Sequence, residues 1–350
     1  MRHAEALIVL KDPRFLKRPP AKWTSDGAPV RGFGVDLLES DPPDHTRLRK
    51  LVSKAFTPRM IERLEGRVES LAHELLDKHL PTGQIELVRD YAAAIPIIII
   101  TELLGIRVGD LEKFRQFTYG LTFNMTSAKP SEALLDTRKR FTRYLEATFE
   151  ERRREPRDDL VTALVQAEQD GGRLSGDELI GMVYLLLIAG YVTTVNLIAN
   201  STLSLIRNRE QLELLRGDAS LYPTAVEELL RYDGPLELSS AHFAATDVEL
   251  DGVLLPRSAQ IRLVMPSINR DPARFERPDV LDLKRDPCPH LAFGQGIHYC
   301  LGAPLARLEG RIALRALIER APNVRLAETG EGPWLSHPIL RGPERLPLRF

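Results

Sequence analysis

Cysteine is scarce in this chain: among 350 residues only Cys288 and Cys300 occur. Two thiols cannot build a disulfide framework, and their scarcity suits a reducing, cytoplasmic setting. Net charge is nearly absent as well, with 48 basic residues against 49 acidic ones. That excludes the broad positive field by which a protein holds nucleic acid or another acidic polymer. The opening residues, Met1-Arg2-His3-Ala4-Glu5, have no apolar core for a signal peptide. There are no internal repeats and no low-complexity tracts. No Gly-x-Gly-x-x-Gly stands between a strand and a helix, so no nicotinamide or flavin segment is expected.

What is present is hydrophobic patterning. Apolar residues make up 43% of the chain, enough to bury a substantial core. Gly181 to Ala199 carries no charge and meets the rough threshold of 18 residues for a membrane span. It also holds Tyr184, Tyr191, Thr193, Thr194 and Asn196, each costly against lipid. The segment therefore reads as a helix buried on all sides within a large domain, with no membrane contact.

Residues 46–210 read mainly as helix. Leu51, Ala55, Ile61, Leu64, Val68 and Leu71 recur at spacings of three and four, interrupted at Thr57-Pro58 where a new helix is capped. Leu87–Ile106 and Leu134–Arg153 are further helices, the first ended or kinked by Pro96. Phe123–Ser131 is a loop. Ser175 and Glu178 have capping-box spacing ahead of the long apolar run. From Leu236 the pattern shifts: Asp251-Gly252 signals a hairpin, and Gln260–Met265 a short strand. A last helix covers about Leu301–Arg320. The fold class is mainly α with a minor β portion, in a single domain over residues 1–350.

The most specific segment is Phe293-Gly294-Gln295-Gly296-Ile297-His298-Tyr299-Cys300-Leu301-Gly302. Its glycines let the backbone turn tightly and approach a flat ligand. Cys300 falls where the last helix begins, and unpaired N–H groups with a positive dipole end favour a thiolate there. A lone cysteine in a glycine-rich loop is otherwise an inert, buried thiol. Here the complete Phe-Gly-x-Gly-x-His-x-Cys-x-Gly spacing resembles the haem-binding loop of the cytochromes P450. The resemblance runs from about His3 to Phe350 and is closest to the soluble bacterial members. It implies a P450-like fold, haem b as cofactor and Cys300 as the metal ligand. Phe293, Gly294, His298 and Gly302 would lie against the haem, with His298 toward a carboxylate. Cys288 has no such surroundings and is expected to be a bystander.

Asp41-Pro42-Pro43-Asp44-His45-Thr46-Arg47-Leu48-Arg49 resembles the family's helix that holds the haem propionates. This carries that role to His45 and Arg49, four apart on one helical face. Glu228-Leu229-Leu230-Arg231 matches the family's Glu-x-x-Arg signature, a structural pair beneath the haem. Ala189-Gly190-Tyr191-Val192-Thr193-Thr194 is similar to the oxygen-side segment, which makes Thr193 the hydroxyl beside oxygen, flanked by Ala189 and Gly190. Thr193 either relays protons or merely bonds back to its own helix.

Departures from the family pattern are equally specific. Val192 stands where an acid is expected and cannot carry a proton. His242 stands where an Arg usually contacts a propionate, and is the candidate for that role. Pro278-Asp279-Val280-Leu281 lacks the basic residue that usually completes the network with Glu228 and Arg231. The family's first helix and first strands, ahead of the position matching Met1, are expected to be missing.

The resemblance implies a monooxygenase that inserts one atom of O2 into a small or medium apolar substrate. A separate ferredoxin- or flavodoxin-type protein would supply electrons, docking on a basic face that includes Arg47, Lys50, Arg59 and Arg307. The pocket is expected to draw on Phe15–Leu38, Phe117–Met125, Ile188, Ala189, Thr193, Leu236–Ser239 and Leu335–Leu340. Two other functions stay open: a peroxide-driven or non-hydroxylating P450, motivated by Val192, and a non-catalytic haem-binding relative.

Overall fold

The computed structural model describes residues 2–18, 36–106, 132–167, 174–327 and 332–350. The expected loop Phe123–Ser131 and the pocket segment Phe117–Met125 lie outside the described residues, as does most of Phe15–Leu38. The architecture is mainly helical with small antiparallel sheets.

At the centre lies a long helix, Gly176–Arg207. Its start has a full capping box: Glu178 N–H donates to Ser175 Oγ, and Ser175 N–H donates to the Glu178 carboxylate. Glu178 also takes Arg47 from the helix Asp44–Ala55. One cap thus ties two elements together. By length and composition the long helix passes for a membrane span, yet 67% of its most apolar stretch is buried inside the fold. Helices Ala94–Leu104, Tyr222–Asp233 and Ala303–Arg320 pack around it. Gly310 permits a close approach of the helix Ala303–Arg320, because a Cβ there would sit 3.2 Å from Leu197 Cδ2.

Local signals in the sequence act as expected in most places. The Thr57 side chain accepts from Met60 N–H, with Pro58 opening the helix Pro58–Arg63. Asp251 and Gly252 both take positive φ and close the hairpin between Val248–Leu250 and Val253–Leu255. The expected helix Leu87–Ile106 is interrupted about one turn before Pro96. A π-helical turn, Val88–Ala92, precedes the helix Ala94–Leu104. Pro96 therefore falls in a first turn, where no N–H is required of it. The expected strand Gln260–Met265 is cut to Gln260–Ile261, since Met265 opens a short helix, Met265–Asn269.

A small sheet sets the site's other wall. Phe15–Leu16 pairs with His242–Ala244, which pairs in turn with Gln260–Ile261. Beneath it, Ala6, Val9, Phe15, Ala244, Ile261 and Leu263 form a second core cluster beside the main one, and Leu236 packs against both.

Candidate active site

The cysteine loop is closed by Cys300 N–H donating to Phe293 C=O at 2.9 Å. Gly294 and Gly296 both take positive φ, which side chains with a Cβ resist. Their surroundings differ. A Cβ on Gly296 would lie 2.5 Å from Leu10 C=O, so this glycine makes room for the helix His3–Lys11; at Gly294 the nearest atom is 3.9 Å away. Of the two glycines, only Gly294 has an open side. The Phe293 ring is covered by the Arg307 guanidinium, 4.5 Å from its centre. Gly302 precedes the helix Ala303–Arg320, and a Cβ there would stand 4.0 Å from Cys300 Sγ.

Burial pushes the Cys300 thiol above its ordinary pKa, while the N–H groups of Gly302 and Ala303 and the charges of Arg49 and Arg307 pull it back. The helix start alone therefore does not make a thiolate. A bound metal ion, which displaces the thiol proton outright, would.

Positive groups gather beside this loop. The His45 ring lies 4.2 Å from that of His298. His45 is buried, and neither of its ring nitrogens has a hydrogen-bond partner. Arg49, one turn on, is half-buried with no ion pair among the described residues. His242 is buried with Nδ1 unpartnered, and its Nε2 lies 2.8 Å from the Nζ of Lys17. Burial, then the charges of Lys17, His45, His242 and Arg49, push His298 down to about 3. Burial and Lys17 push His242 to about 3 as well. Buried polar atoms without partners are costly, and so are the partly buried charges of Arg49 and Lys17 without a described counter-charge. Both are relieved by a ligand that brings carboxylates. Haem b, flat and carrying two propionates, fits that demand beside a cysteine.

The oxygen-side segment lies in the middle of the long helix. Between Glu178 and Leu205 every residue is buried except Leu185, Leu186, Ala189, Gly190 and Thr193. Spacings of three and four put these on one face, so the helix opens onto a cleft along a single stripe. Thr193 lies on the stripe, and its hydroxyl donates to Ala189 C=O at 2.6 Å. The local bond is made, while the oxygen's lone pairs stay free to accept. Val192 and Ile188 are off the stripe and buried in the core, which removes Ile188 from the expected pocket lining.

Beneath the cysteine loop, Glu228 and Arg231 are fully buried and doubly bonded, at 2.6 and 2.8 Å. The missing basic residue is supplied by Arg285, which donates to Glu228 at 2.9 Å. Arg285 lies a few residues after Pro278-Asp279-Val280-Leu281. Arg231 also donates to the carbonyls of Asn269, Pro278 and Val280. Cys288 lies within this structural network, its thiol 3.7 Å from Glu228, and burial beside that carboxylate pushes it up to about 12, which keeps it an unreactive thiol.

The expected basic docking face is thinner than its sequence. Arg307 is held by Glu227 at 2.6 and 2.8 Å, and Arg47 by Glu178, which leaves Lys50 and Arg59 exposed. Sequence reasoning passed over three residues: Lys17, Arg285 and the fully buried Glu309, which bonds Thr194 on the core side of the long helix.

A cysteine before a helix, a cluster of unpartnered histidine nitrogens with Arg49 and Lys17, and an open stripe on the long helix fit a haem-thiolate type of site. The family profile described as Cytochrome P450 matches residues 2–321. The chain belongs to the cytochrome P450 family. It is 42% identical over 353 residues to the cytochrome P450 monooxygenase PikC of Streptomyces venezuelae, covering 99% of this chain and 83% of that one. It is 41% identical over 322 residues to 6-deoxyerythronolide B hydroxylase of Saccharopolyspora erythraea, covering 91% and 78%. Among solved structures, the myxobacterial CYP267B1 in complex with myristic acid superposes with a TM-score of 0.90 at 38% identity, covering 100% of this chain and 89% of that one. The protein is accordingly a haem-dependent oxidoreductase of the monooxygenase class, whose members take O2, an organic substrate and electrons from a separate redox partner.

Proposed function

We propose that this chain is a cytoplasmic monooxygenase inserting one oxygen atom from O2 into a small or medium apolar substrate. Electrons would come from a ferredoxin- or flavodoxin-type protein. The observation that carries the reading is the set of unsatisfied nitrogens on His45 and His242, together with Arg49 and Lys17, beside Cys300. Bound there, haem b supplies the iron at which oxygen is activated, and a thiolate ligand favours O–O cleavage.

The chain's own residues divide the remaining work. Cys300 would supply its sulfur to the haem iron from a loop fixed by the Phe293 carbonyl. His45, Arg49, His242 and His298 would hold the propionates, with Phe293, Gly294 and Gly302 lining the same loop. On the opposite side, Ala189 and Gly190 leave space, and Thr193 accepts and relays protons at its hydroxyl. An apolar substrate is supported by Leu185, Leu186 and Ala189 on the open stripe and by relatives named for polyketide biosynthesis and for hydroxylation of 6-deoxyerythronolide B and vitamin D(3).

The reduced, carbon-monoxide-bound absorption spectrum tests this directly. A thiolate-type Soret band supports Cys300 as ligand, and a histidine-type or absent band overturns it. A peroxide-driven enzyme is the second reading, favoured by Val192 alone. Comparing turnover with peroxide against turnover with a donor protein separates the two.

A further inference from the structure

Lys17 is the only lysine buried among the described residues. A buried ammonium ordinarily requires a counter-charge, yet no described carboxylate stands within ion-pair distance of it; Asp41 and Glu39 act only through their fields. Its place follows from strand pairing. Leu16 is registered against Phe243, so the next position along sets Lys17 opposite His242. There Lys17 Nζ lies 2.8 Å from Ser240 Oγ and 2.8 Å from His242 Nε2.

An ammonium has three N–H donors. One goes to Ser240 Oγ and one to His242 Nε2, which leaves His242 neutral with its proton on Nδ1. The third has no partner among the described residues. Lys17 belongs to the same cluster as His45, Arg49 and His298, close enough for its charge to act on His298. At the position of His242 the family usually carries an Arg, and a neutral imidazole cannot replace that charge. Lys17 can, from the neighbouring strand.

We propose, on the haem-thiolate reading above, that Lys17 is the charged anchor of a haem propionate in this chain, with Ser240 and His242 as its positioning residues. His242 thereby acts through Lys17 by accepting one of its protons.

The test uses purified holoenzyme and two readouts other than activity: haem transfer to excess apomyoglobin, and the propionate bending bands in the resonance Raman spectrum. Lys17→Met keeps the side chain's bulk and removes its charge. It is expected to lose haem on the order of tenfold faster, as for loss of a charge-assisted hydrogen bond. Its propionate bands shift while the thiolate Soret band stays. Lys17→Arg restores both towards wild type. Ser240→Ala releases one of the two holds on the ammonium and gives a smaller acceleration, which keeps the question open to test if Lys17→Met does not accumulate. Wild-type haem loss and unshifted propionate bands in Lys17→Met overturn the proposal, as does a Lys17→Arg variant as leaky as Lys17→Met, or no acceleration in Ser240→Ala. Absence of a thiolate band in the wild type is a different result, and removes the haem-thiolate reading itself together with the anchor.

Discussion

Glu309 offers the sharpest test of the core. It is fully buried in the helix Ala303–Arg320, bonded to Thr194, and one carboxyl oxygen has no partner. Burial pushes its pKa from 4.5 to about 8, with the Thr194 bond only partly opposing. The folded protein therefore holds a proton that the unfolded chain releases near pH 4.5. Below that pH both states are protonated and the group is neutral towards stability. As pH rises towards 8 the unfolded state ionises and the folded state cannot, so stability falls at up to about 1.4 kcal/mol per pH unit. Between about pH 5.5 and 7.5 the loss is about 2.5 kcal/mol, and a few degrees of melting temperature in a chain of this size. Glu309→Gln keeps the shape and the Thr194 contact but cannot titrate. Thermal melts of wild type and variant across this range should diverge, with the variant gaining stability relative to wild type as pH rises. Other groups that titrate, such as Lys17, are common to both proteins and cancel in the difference. Parallel pH profiles would refute the reasoning, since they would mean that Glu309 is already ionised or solvated in the folded state.

Cys300→His should replace the thiolate-type carbon-monoxide band with an imidazole type and abolish donor-driven turnover, because imidazole lacks the thiolate push; a surviving thiolate spectrum would move the ligand to Cys288. Glu228→Gln strands the buried charges of Arg231 and Arg285, so stability should fall by about 3–5 kcal/mol. A denaturation midpoint near wild type would show that the network is dispensable. Val192→Asp should raise donor-driven turnover relative to peroxide-driven turnover. The buried carboxylate should also lower thermal stability, and an unchanged turnover ratio would show that the missing acid does not limit the reaction.

The parts legible in the sequence are those set by short-range patterns. The Ser175–Glu178 capping box, the Thr57-Pro58 break and the Asp251-Gly252 turn each depend on a few adjacent residues, and each forms as the chain reads. The cysteine loop is legible for the same reason, its spacing being contained in ten residues. The break near Pro96 falls about one turn before the proline itself, where a π-helical turn gives way to the helix Ala94–Leu104, and that offset is not legible from the proline alone. Val192 and Thr193 are adjacent in sequence and differ in exposure. That difference comes from what packs around the long helix, and apolar composition on every side of the helix hides it.

The charge around the site is the least legible part, because it is assembled across the chain. Lys17 meets His242 across 225 residues, Arg285 meets Glu228 across 57, and Arg47 meets Glu178 across 131. No local pattern marks Lys17 as different from any surface lysine; only the pairing of Phe15–Leu16 with His242–Ala244 turns it inward. The same pairing explains how a histidine can stand at a position where the family usually has arginine. The charge has moved to the neighbouring strand, and the imidazole remains as an acceptor that fixes the ammonium in place. Read position by position, the propionate side of the site looks weakened by the loss of an arginine. In three dimensions the same side carries Lys17, His45 and Arg49 with no described carboxylate paired to any of them.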